Sequence, residues 1–486
     1  MKTNIIIFGG DGDLSLKKIF PALFKRIVDK QISEFCRITV VSKSEYSTDT
    51  FSDVLEFNLK KYVSDITTEQ FLLIKQMVVY LKVDLLNSEE YKLIRNSFKE
   101  TEFEQTLFYF STPSSIFGKI SEFLYKNSII TDTSKVILEK PLGHDLDSFE
   151  ELNKNIRTYF KESQIYRIDH YLGKETVQNL MVLRFANHLF ELAWNGQNIE
   201  NIQITVAESI GIESRKEFYD KYGALKDMVQ NHLLQLLCLV AMEPPSKINA
   251  DNVRNEKLKV LKALRPFNEK TIVKNTIKGQ YTRGEIDGLP VSSYQEDIER
   301  YDSPIETFVA IRTYVDNWRW SGVPFYLRTG KRMECRYSEI VINFKKVPHN
   351  LFPNGKKIES NKLIIRLQPE ERIELVQMVK IPGPGGYRYK PTSLELDYGG
   401  SFDKKFPDAY ERLLMDVIKG NQTLFMREDE LRASWLWINS VTQNWEKSEM
   451  ELELYKAGTL GPGDEVLLPG HSWHESKKNK HEPNKI

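Results

Sequence analysis

In the N-terminal third of the chain, short apolar runs alternate with amphipathic segments. The apolar runs predict β-strands at NIIIFGG (4–10), CRITVVS (36–42), LFYFSTP (107–113) and KVILEKP (135–141). Helical spacing of apolar residues marks the segments between them, such as 13–30 and 114–127, and Pro21 is expected to kink or offset the first. Alternating strands and helices predict a parallel sheet covered on both faces.

Beyond residue 168 the pattern changes. Long helices are predicted over 175–193 and 225–242, and alternating apolar and polar positions dominate from about residue 305. The clearest such runs are ETFVAIRTYVDNW (306–318), SEIVINFKKV (338–347), NKLIIRLQP (361–369) and RIELVQMVKI (372–381). This alternation predicts a large, mainly antiparallel sheet. We therefore expect two domains, 1–168 and 169–486.

Composition fits a globular protein without an overall electrostatic attraction for polyanions. The 486 residues include 41% hydrophobic and 28% charged residues, and Lys plus Arg equal Asp plus Glu at 68 each. A neutral chain has no global field to recruit nucleic acid or an anionic membrane, so neither is an expected partner. Any anionic ligand must be bound by a local cluster of cations.

The cysteines and the chain termini favour a cytoplasmic protein. Cys36, Cys238 and Cys335 show no metal-binding or disulfide spacing, which is typical of a reduced compartment. The first strand begins within a few residues of the initiator, so no signal peptide is expected. The longest apolar run, 233–242, is too short to span a bilayer. We expect the polar tail, with His471 and His474, to be solvated, and no metal site.

A glycine-rich turn follows the first predicted strand. Gly9, Gly10 and Gly12 lie between a strand and a helix, where backbone N–H groups and a helix N-terminus can face a pyrophosphate. The spacing is Gly-x-x-Gly-x-x-Ser, which departs from the usual dinucleotide fingerprint. A tight turn without a ligand is the alternative.

The end of the second strand bears on the choice of cofactor. NAD-binding folds usually place an acidic residue there to hold the ribose 2′-hydroxyl. This chain has VVSKSE, in which Lys43 between two serines suits a 2′-phosphate. Glu45 lies close enough to leave NAD open as an alternative to NADP.

Two further segments carry candidate chemistry in the first half of the chain. Lys140 follows an apolar strand in VILEKPLGHDL, and ligands of parallel sheets bind beyond the carboxyl ends of strands. A solvated lysine that merely ends the strand is the alternative. YRIDHYLGKE (166–175) gathers Asp169, His170, Tyr171 and Lys174 at the predicted domain junction, and clefts between domains favour ligand sites.

His232 lies on the apolar stripe of the helix predicted over 225–242. The stripe includes Leu225, Val229, Leu236 and Val240, so His232 is expected to be buried. No carboxylate occupies its i±3 or i±4 positions, so a catalytic role needs a partner from elsewhere, for which Asp169 is a candidate. The alternative is a core histidine with no catalytic role.

Read together, these segments closely resemble the glucose-6-phosphate 1-dehydrogenase family. Its motifs are matched in order by GGDGDLSLKKIFPALF, SKSEYS, EKPLGHDL, YRIDHYLGKETVQNLMVLRFAN, YGALKDMVQNHLLQLLCLVAMEPP, YLRTGKRM and LIIRLQP. The resemblance implies a Rossmann-like N-terminal dinucleotide-binding domain and a C-terminal β+α domain, assembled as a homodimer or homotetramer. It also implies hydride transfer from C1 of glucose 6-phosphate to NADP⁺, the entry step of the oxidative pentose phosphate pathway.

The resemblance also assigns roles to residues. His232 corresponds to the general base that takes the proton of the C1 hydroxyl, and Asp169 to the carboxylate that orients the imidazole. The residues that correspond to substrate-binding positions are His170, Tyr171, Lys174 and Arg336 at the phosphate, Glu208, Asp227 and Lys331 at the sugar, and Lys140 at the boundary with the cofactor. The positions that correspond to cofactor binding are Gly9, Gly12, Asp13, Leu14, Lys18, Lys43 and Lys140.

Two positions depart from the family pattern. Asp11 occupies a loop position where the family commonly has Ser or Thr, and it is expected to bring a carboxylate near the pyrophosphate. Lys43 replaces the usual Arg, which loses the bidentate guanidinium fork and is expected to weaken NADP preference.

Two other functions compete with this interpretation. One is an NAD(P)-dependent sugar dehydrogenase of the shorter group that also carries Glu-Lys-Pro at a strand end, but it would not explain RIDHYLGKE. The other is a non-catalytic sensor of sugar phosphate or NADP on the same fold. Retention of both His232 and Asp169 argues against a sensor, because binding alone needs no base.

Overall fold

The computed structural model describes residues 2–97, 103–213, 215–352, 358–384, 386–397 and 407–475. The chain forms two compact units, each built from three segments. The first comprises Met1–Lys174, Pro245–Asn255 and Pro407–Arg432, and the second comprises Glu175–Pro244, Glu256–Phe406 and Ala433–Ile486. The domain boundary after residue 168 stays a prediction.

The first unit is built on a six-stranded parallel sheet. Its strands are β1 (Thr3–Phe8), β2 (Arg37–Ser42), β3 (Val78–Lys82), β4 (Gln105–Phe110), β5 (Ser134–Leu138) and β6 (Ile165–Arg167), in the order β3-β2-β1-β4-β5-β6. All neighbours are parallel, and β1 and β4 are buried along their whole length. This is the strand order of a Rossmann fold, so the predicted parallel sheet is confirmed.

The α-helices of the two units are numbered here in chain order. They are α1 (Phe20–Val28), α2 (Thr48–Tyr62), α3 (Thr68–Met77), α4 (Tyr91–Ser97), α5 (Phe117–Lys126), α6 (Leu146–Arg157), α7 (Glu175–Phe185), α8 (His188–Ala193), α9 (Lys216–Ala224), α10 (Leu234–Ala241), α11 (Ala250–Ala263), α12 (Glu269–Asn275), α13 (Tyr294–Ile298), α14 (Ala409–Lys419) and α15 (Glu428–Lys447). π-Helical turns occupy Ser15–Ile19 and Leu225–Leu233.

The offset expected at Pro21 is present. The segment begins as a π-helix over Ser15–Ile19 and continues as α1, and the change of helix type falls just before Pro21, which has no N–H to donate. The end of α1 is held by Glu411 of α14, whose buried carboxylate lies 2.9 Å from Lys25 Nζ and 2.7 Å from Arg26 Nη2. The apolar face of α1 is thereby fixed in the first unit.

The second unit contains a nine-stranded mixed sheet. Its strands are β7 (Ile199–Ala207), β8 (Thr276–Thr282), β11 (Phe308–Thr313), β12 (Phe325–Gly330), β13 (Tyr337–Phe344), β14 (Lys362–Gln368), β15 (Arg372–Lys380), β16 (Tyr389–Asp397) and β17 (Glu453–Lys456), in the order β16-β15-β14-β13-β7-β12-β11-β8-β17. A separate hairpin joins β9 (Gly284–Ile286) to β10 (Leu289–Val291). Only the pairs β7/β12 and β8/β17 of this nine-stranded sheet are parallel, so the mainly antiparallel prediction is confirmed.

The helix predicted over 175–193 is wrong as a single helix, because α7 ends at Phe185 and α8 begins at His188. Asn187 between them has extended dihedral angles of −125° and 100°, and its side-chain amide donates to the carbonyl oxygens of Val182 and Leu183, both at 3.3 Å. Asparagine thus satisfies the terminal carbonyls of α7 and stops the helix.

The C-terminal tail is also more ordered than predicted up to residue 475. Tyr326 Oη lies 2.7 Å from His471 Nδ1, and the Trp473 indole is buried and donates to the carbonyl of Gly463 at 3.1 Å. Trp473 also covers the guanidinium of Arg328, 4.2 Å from its ring centroid. The residues after Trp473 are polar, so the sequence did not predict that this indole is buried. Residues 476–486 of the predicted frayed tail lie outside the described residues.

The described part of the chain contains no helix that is both long and apolar enough to cross a membrane. Cys36 and Cys238 are buried free thiols, and Cys335 is a half-buried free thiol.

Gly223 makes a sharp bend that begins the Leu225–Leu233 π-helix. Its φ is +64°, and a Cβ at this position would lie 2.4 Å from Glu306 Oε1. Glu306 itself is buried and accepts from the backbone N–H of Leu225 at 2.9 Å. The bend therefore needs glycine for both its conformation and its space.

Gly223→Ala is expected to destabilise the protein by about 3 kcal/mol or more, because left-handed strain adds to a clash with a buried carboxylate. Gly322→Ala is the matched control, since Gly322 has φ +82° but a Cβ added there would meet nothing within 4 Å. It should cost only about 1 kcal/mol of backbone strain. Urea unfolding of both variants checks the difference, and equal losses would contradict the role given to Glu306.

Candidate active site

The glycine turn lies at the carboxyl end of β1. Gly9 has φ +70°, and a Cβ there would lie 2.6 Å from the carbonyl oxygen of Ser111. Gly12 N–H donates to the Gly9 carbonyl at 3.1 Å, and Ser15 Oγ donates to the same carbonyl at 3.3 Å. The turn thus leads into the Ser15–Ile19 π-helix, and Gly12 at its end is exposed. Such a turn fits the pyrophosphate of a dinucleotide.

The other predicted cofactor residues surround this turn. Leu14 directly precedes the π-helix and is half-buried, whereas Lys43 is exposed just after β2. Asp13 is 86% exposed and pairs with Lys17 at 2.7 Å. Lys18 lies 3.4 Å from Asp408. Lys43 and Lys18 are therefore both exposed cations near this edge of the sheet.

The ends of β5 and β6 bring two predicted site residues to the same edge. The strands are parallel with Leu138 opposite Arg167, so Lys140 and Asp169 both follow the carboxyl edge. The Lys140–Pro141 peptide between β5 and the following loop is cis. Arg167 anchors β6, because its buried guanidinium bonds Asn153 and Glu162, each at 2.6 Å.

The segment after β6 folds into consecutive turns. Asp169 is fully buried, and its Oδ1 accepts from the N–H of Tyr171 at 2.9 Å. Backbone bonds from Leu172 to Asp169 and from Lys174 to Tyr171 hold the turns. Lys174 Nζ lies 5.2 Å from the centroid of the Tyr171 ring, a cation–π distance. The turns thus group an imidazole, a phenol and an ammonium within five residues.

A buried carboxyl group lies behind these turns. Glu139 accepts hydrogen bonds from the hydroxyls of Tyr109 and Tyr410, and the Tyr410 ring stacks on His170 at 6.4 Å with an interplanar angle of 10°. Burial raises the pKa of Glu139 to about 7, although the two tyrosine hydroxyls and the charge of Lys140 act in the opposite direction. Burial likewise raises the pKa of Tyr410.

This raised pKa predicts a pH-dependent contribution to stability. Because the folded pKa lies above the usual 4.5, the stabilising contribution is full at low pH and is lost as the pH rises through about 7. Glu139→Gln has no such titration. The melting temperature of the wild type is therefore expected to fall relative to the variant between about pH 5 and 7.5.

Glu122→Gln is the matched control for this measurement. Glu122 is on the same unit, and hydrogen bonds from Lys126 and Lys119 lower the pKa of its carboxyl. Its contribution is therefore complete above pH 5, and the melting curves of this variant and the wild type should shift in parallel. Parallel shifts for Glu139→Gln as well would contradict the assignment of the raised pKa.

In the second unit, the parallel pair β7/β12 places Glu208 beside Lys331. Ala207 lies opposite Gly330, so the next residue of each strand emerges at the same edge. Lys331 Nζ lies 2.8 Å from Glu208 Oε2, and the lysine is buried. The two residues thus form a pre-organised pair with a donor and an acceptor, which suits the hydroxyl groups of a sugar.

Tyr219 lies between this pair and Asp227. Lys331 Nζ is 5.1 Å from the Tyr219 ring, and the pKa of the Tyr219 hydroxyl is raised by its burial and by the charges of Asp227, Glu306 and Glu208. Asp227 itself is nearly buried in the Leu225–Leu233 π-helix. The second unit thus joins all three predicted sugar-binding residues in one electrostatic cluster.

His232 is 1% exposed in the same π-helix, which continues into α10. The helix predicted over 225–242 therefore exists, but its first half has π geometry. The predicted burial of His232 is confirmed, and from Asp227 to Ala241 every residue is buried, so burial extends beyond the apolar stripe. The π turns change which side chains share a face, and such turns frequently occur at functional sites.

Arg336 is exposed, whereas Lys331, the other predicted cation of the second unit's site residues, is buried. It follows β12 in the loop before β13, and its Nη2 lies 3.5 Å from Gln368 Oε1. The Gln368–Pro369 peptide is cis, and Gln368 Nε2 donates to Ser338 Oγ at 2.8 Å. The guanidinium therefore remains accessible to an anion.

Several residues around these clusters were not found from the sequence. Glu139 was visible only as part of a Glu-Lys-Pro motif, and Tyr410, Tyr219 and Glu306 stand in segments without any motif. Because each is brought in by tertiary packing, no local spacing identifies it.

Comparisons with known proteins cover nearly the whole chain. The family model "Glucose-6-phosphate dehydrogenase, NAD binding domain" matches residues 6–179, and "Glucose-6-phosphate dehydrogenase, C-terminal domain" matches residues 181–474. The glucose-6-phosphate 1-dehydrogenase of Rhizobium meliloti is 45% identical over 97% of this chain and 98% of its own length. That of Mycolicibacterium smegmatis is 43% identical over 97% of both chains.

A solved structure supports the same assignment. A glucose-6-phosphate dehydrogenase in complex with its substrate glucose-6-phosphate superposes with a TM-score of 0.88 and 34% identity, covering 98% of this chain and 99% of the other. The sequence motifs, both folds and the full-length relatives agree, and the chain belongs to the glucose-6-phosphate dehydrogenase family.

Proposed function

We propose that this chain oxidises C1 of glucose 6-phosphate with NADP⁺ as hydride acceptor, giving 6-phosphogluconolactone and NADPH at the entry to the oxidative pentose phosphate pathway. The observation that carries the proposal is the carboxyl edge of the six-stranded sheet. It holds both the glycine turn at Gly9–Gly12 and the Asp169–Lys174 turns, which supports one edge for the cofactor and the substrate phosphate.

His232 is the proposed general base for the C1 hydroxyl proton. A buried imidazole that becomes cationic needs a nearby carboxylate, and Asp169 is the proposed partner. General-base catalysis of this kind contributes about 10²–10⁴-fold. The nicotinamide of bound NADP⁺ would accept the hydride.

The substrate phosphate is proposed to bind His170, Tyr171, Lys174 and Arg336. The chain carries no net charge, so this local set must supply the positive charge that a phosphate dianion needs. Glu208, Asp227 and Lys331 are proposed to hold the sugar hydroxyls, and Lys140 the region next to the cofactor. Fixing both ends of the substrate aligns C1 for hydride transfer.

NADP⁺ is proposed to bind Gly9, Gly12, Asp13, Leu14, Lys18, Lys43 and Lys140. The glycine turn fits its pyrophosphate, and the exposed Lys43 after β2 fits a 2′-phosphate. The chain's own contribution is to bind and orient the cofactor at the edge where Lys140 emerges.

The assembly and the location are part of the same proposal. Leu394 and Leu396 of β16 are exposed at one margin of the nine-stranded sheet, which supports a homodimer or homotetramer. Three free thiols support a reduced, cytoplasmic compartment.

Initial rates of cofactor reduction by the purified full chain test the proposal. Glucose 6-phosphate with NADP⁺ should give fast turnover, and glucose should give little, because it lacks the phosphate. Binding of both ligands without turnover would instead favour the sensor. Equal rates with glucose would favour another sugar dehydrogenase.

A further inference from the structure

Asp11 is held at the carboxyl end of β2 rather than toward the centre of the glycine turn. It occupies the third position of the Gly9–Gly12 turn, and Gly9 N–H donates to the Val41 carbonyl of β2 at 2.8 Å. The Asp11 carboxylate accepts a hydrogen bond from Ser44 Oγ at 2.5 Å. The expectation that Asp11 lies near the pyrophosphate stays a prediction, and its bond to Ser44 adds a second neighbour.

The partner of Asp11 is itself fixed from β3. Tyr80 Oη donates to the Ser44 carbonyl at 2.9 Å, and Val83 N–H donates to the Ser42 carbonyl at the same edge at 2.9 Å. Burial raises the pKa of the Tyr80 hydroxyl, and the nearby charge of Asp11 raises it further. The Asp11 carboxylate is thus held beside Ser44, and its charge acts on the Tyr80 hydroxyl.

Charges of both signs occur at this corner. Lys43 is the exposed cation next to Ser44, whereas Glu45 bonds Lys82 and so is already compensated. Asp11 and Lys43 therefore carry opposite charges where dinucleotide-binding folds contact the 2′ position of the ribose. A carboxylate there accepts a hydrogen bond from a 2′-hydroxyl and repels a 2′-phosphate.

We propose that Asp11 is a specificity-determining residue that lets this chain use NAD⁺ as well as NADP⁺, with Lys43 favouring the phosphorylated cofactor and Asp11 the unphosphorylated one. The inference rests on the proposed function for the identity of the cofactors. Its physical basis is that the 2′-phosphate gains attraction to Lys43 but meets repulsion from Asp11, whereas the 2′-hydroxyl gains a hydrogen-bond acceptor.

Calorimetric titration of the full chain with NADP⁺ and with NAD⁺, without sugar phosphate, tests the proposal by binding alone. The two dissociation constants of the wild type should lie within about tenfold of each other. Asp11→Ser should increase the preference for NADP⁺ by about tenfold or more, since it removes the like charge. Asp11→Asn, which keeps an acceptor for Ser44, should shift it in the same direction.

Two variants separate Asp11 from other acidic residues of the first unit. Glu45→Gln should change the ratio by less than about twofold, because Lys82 already compensates that charge. Asp132→Asn, on an exposed carboxylate paired with Lys161, should leave it unchanged. An unchanged ratio in both Asp11 variants, or a wild type that binds only NADP⁺, would overturn the inference.

Steady-state rates with glucose 6-phosphate distinguish the two proposals. If the Asp11 variants shift binding but neither cofactor is reduced, the proposed function fails and the specificity role remains. If both cofactors are reduced at rates that the Asp11 variants do not alter, and the binding ratio also stays constant, the specificity role fails alone.

Discussion

Replacing His232 by asparagine is expected to lower kcat by about 10²–10⁴-fold, with only a modest change in KM for glucose 6-phosphate. The amide keeps much of the imidazole's shape but cannot take the proton from the C1 hydroxyl. Affinity is expected to survive because it depends mainly on the phosphate and sugar contacts. Loss of an interaction needed only for the chemical step lowers kcat rather than binding.

The burial of His232 means that this test needs controls for folding. His232 is 1% exposed in the Leu225–Leu233 π-helix, so circular dichroism and the dissociation constant of NADP⁺ should be measured to establish that the variant folds. His349→Asn is the matched control, because His349 is exposed on the same unit. The isotope effect with substrate deuterated at C1 should grow in His232→Asn as chemistry becomes limiting. Near-normal turnover would contradict the general-base role.

Lys174→Ala is expected to raise KM for glucose 6-phosphate by about 10–100-fold, since a charge-assisted hydrogen bond is worth about 1.5–3 kcal/mol. The ammonium lies over the Tyr171 ring in the turns after β6, where it is only half-buried. Its removal therefore leaves space that water can enter, and the fold should tolerate the change. Steady-state kinetics with varied glucose 6-phosphate measures the effect.

Glucose provides an internal control for the same variant. Without a phosphate, glucose gains nothing from Lys174, so its kcat/KM should be the same in Lys174→Ala and the wild type. Lys154→Ala is the matched surface control, because Lys154 is exposed on α6 of the same unit. If KM for glucose 6-phosphate does not change, Lys174 does not bind the phosphate.

The first unit was predictable because its strands are buried on both faces. Ile5, Ile6 and Ile7 form an uninterrupted apolar run, and such runs separated by amphipathic helices define a parallel sheet. β3 and β6 were not identified, and β6 has only three residues, of which the last two belong to the YRIDHYLGKE motif (166–175). The sequence pattern predicted that a parallel sheet exists, but the order of its strands depends on tertiary pairing and was not predicted.

The candidate site was predictable only where its residues form local motifs. Asp169, His170, Tyr171 and Lys174 lie within six positions, whereas Glu208 and Lys331 are 123 residues apart. The hydrogen bond from Ser44 to Asp11 was missed for a similar reason, because it depends on the pairing of β1 with β2. Helix geometry was missed too, because π turns leave no distinct spacing in the sequence.

Lys331 is held in part by β17, the strand of the nine-stranded sheet that comes last in the sequence, and this affects folding during translation. Tyr455 of β17 donates its hydroxyl to the Lys331 carbonyl at 2.6 Å, across 124 residues of sequence. A ribosome must therefore release nearly the entire chain before this lysine acquires its final backbone anchor. Nascent chains that end before β17 should therefore lack this support for the Lys331 backbone.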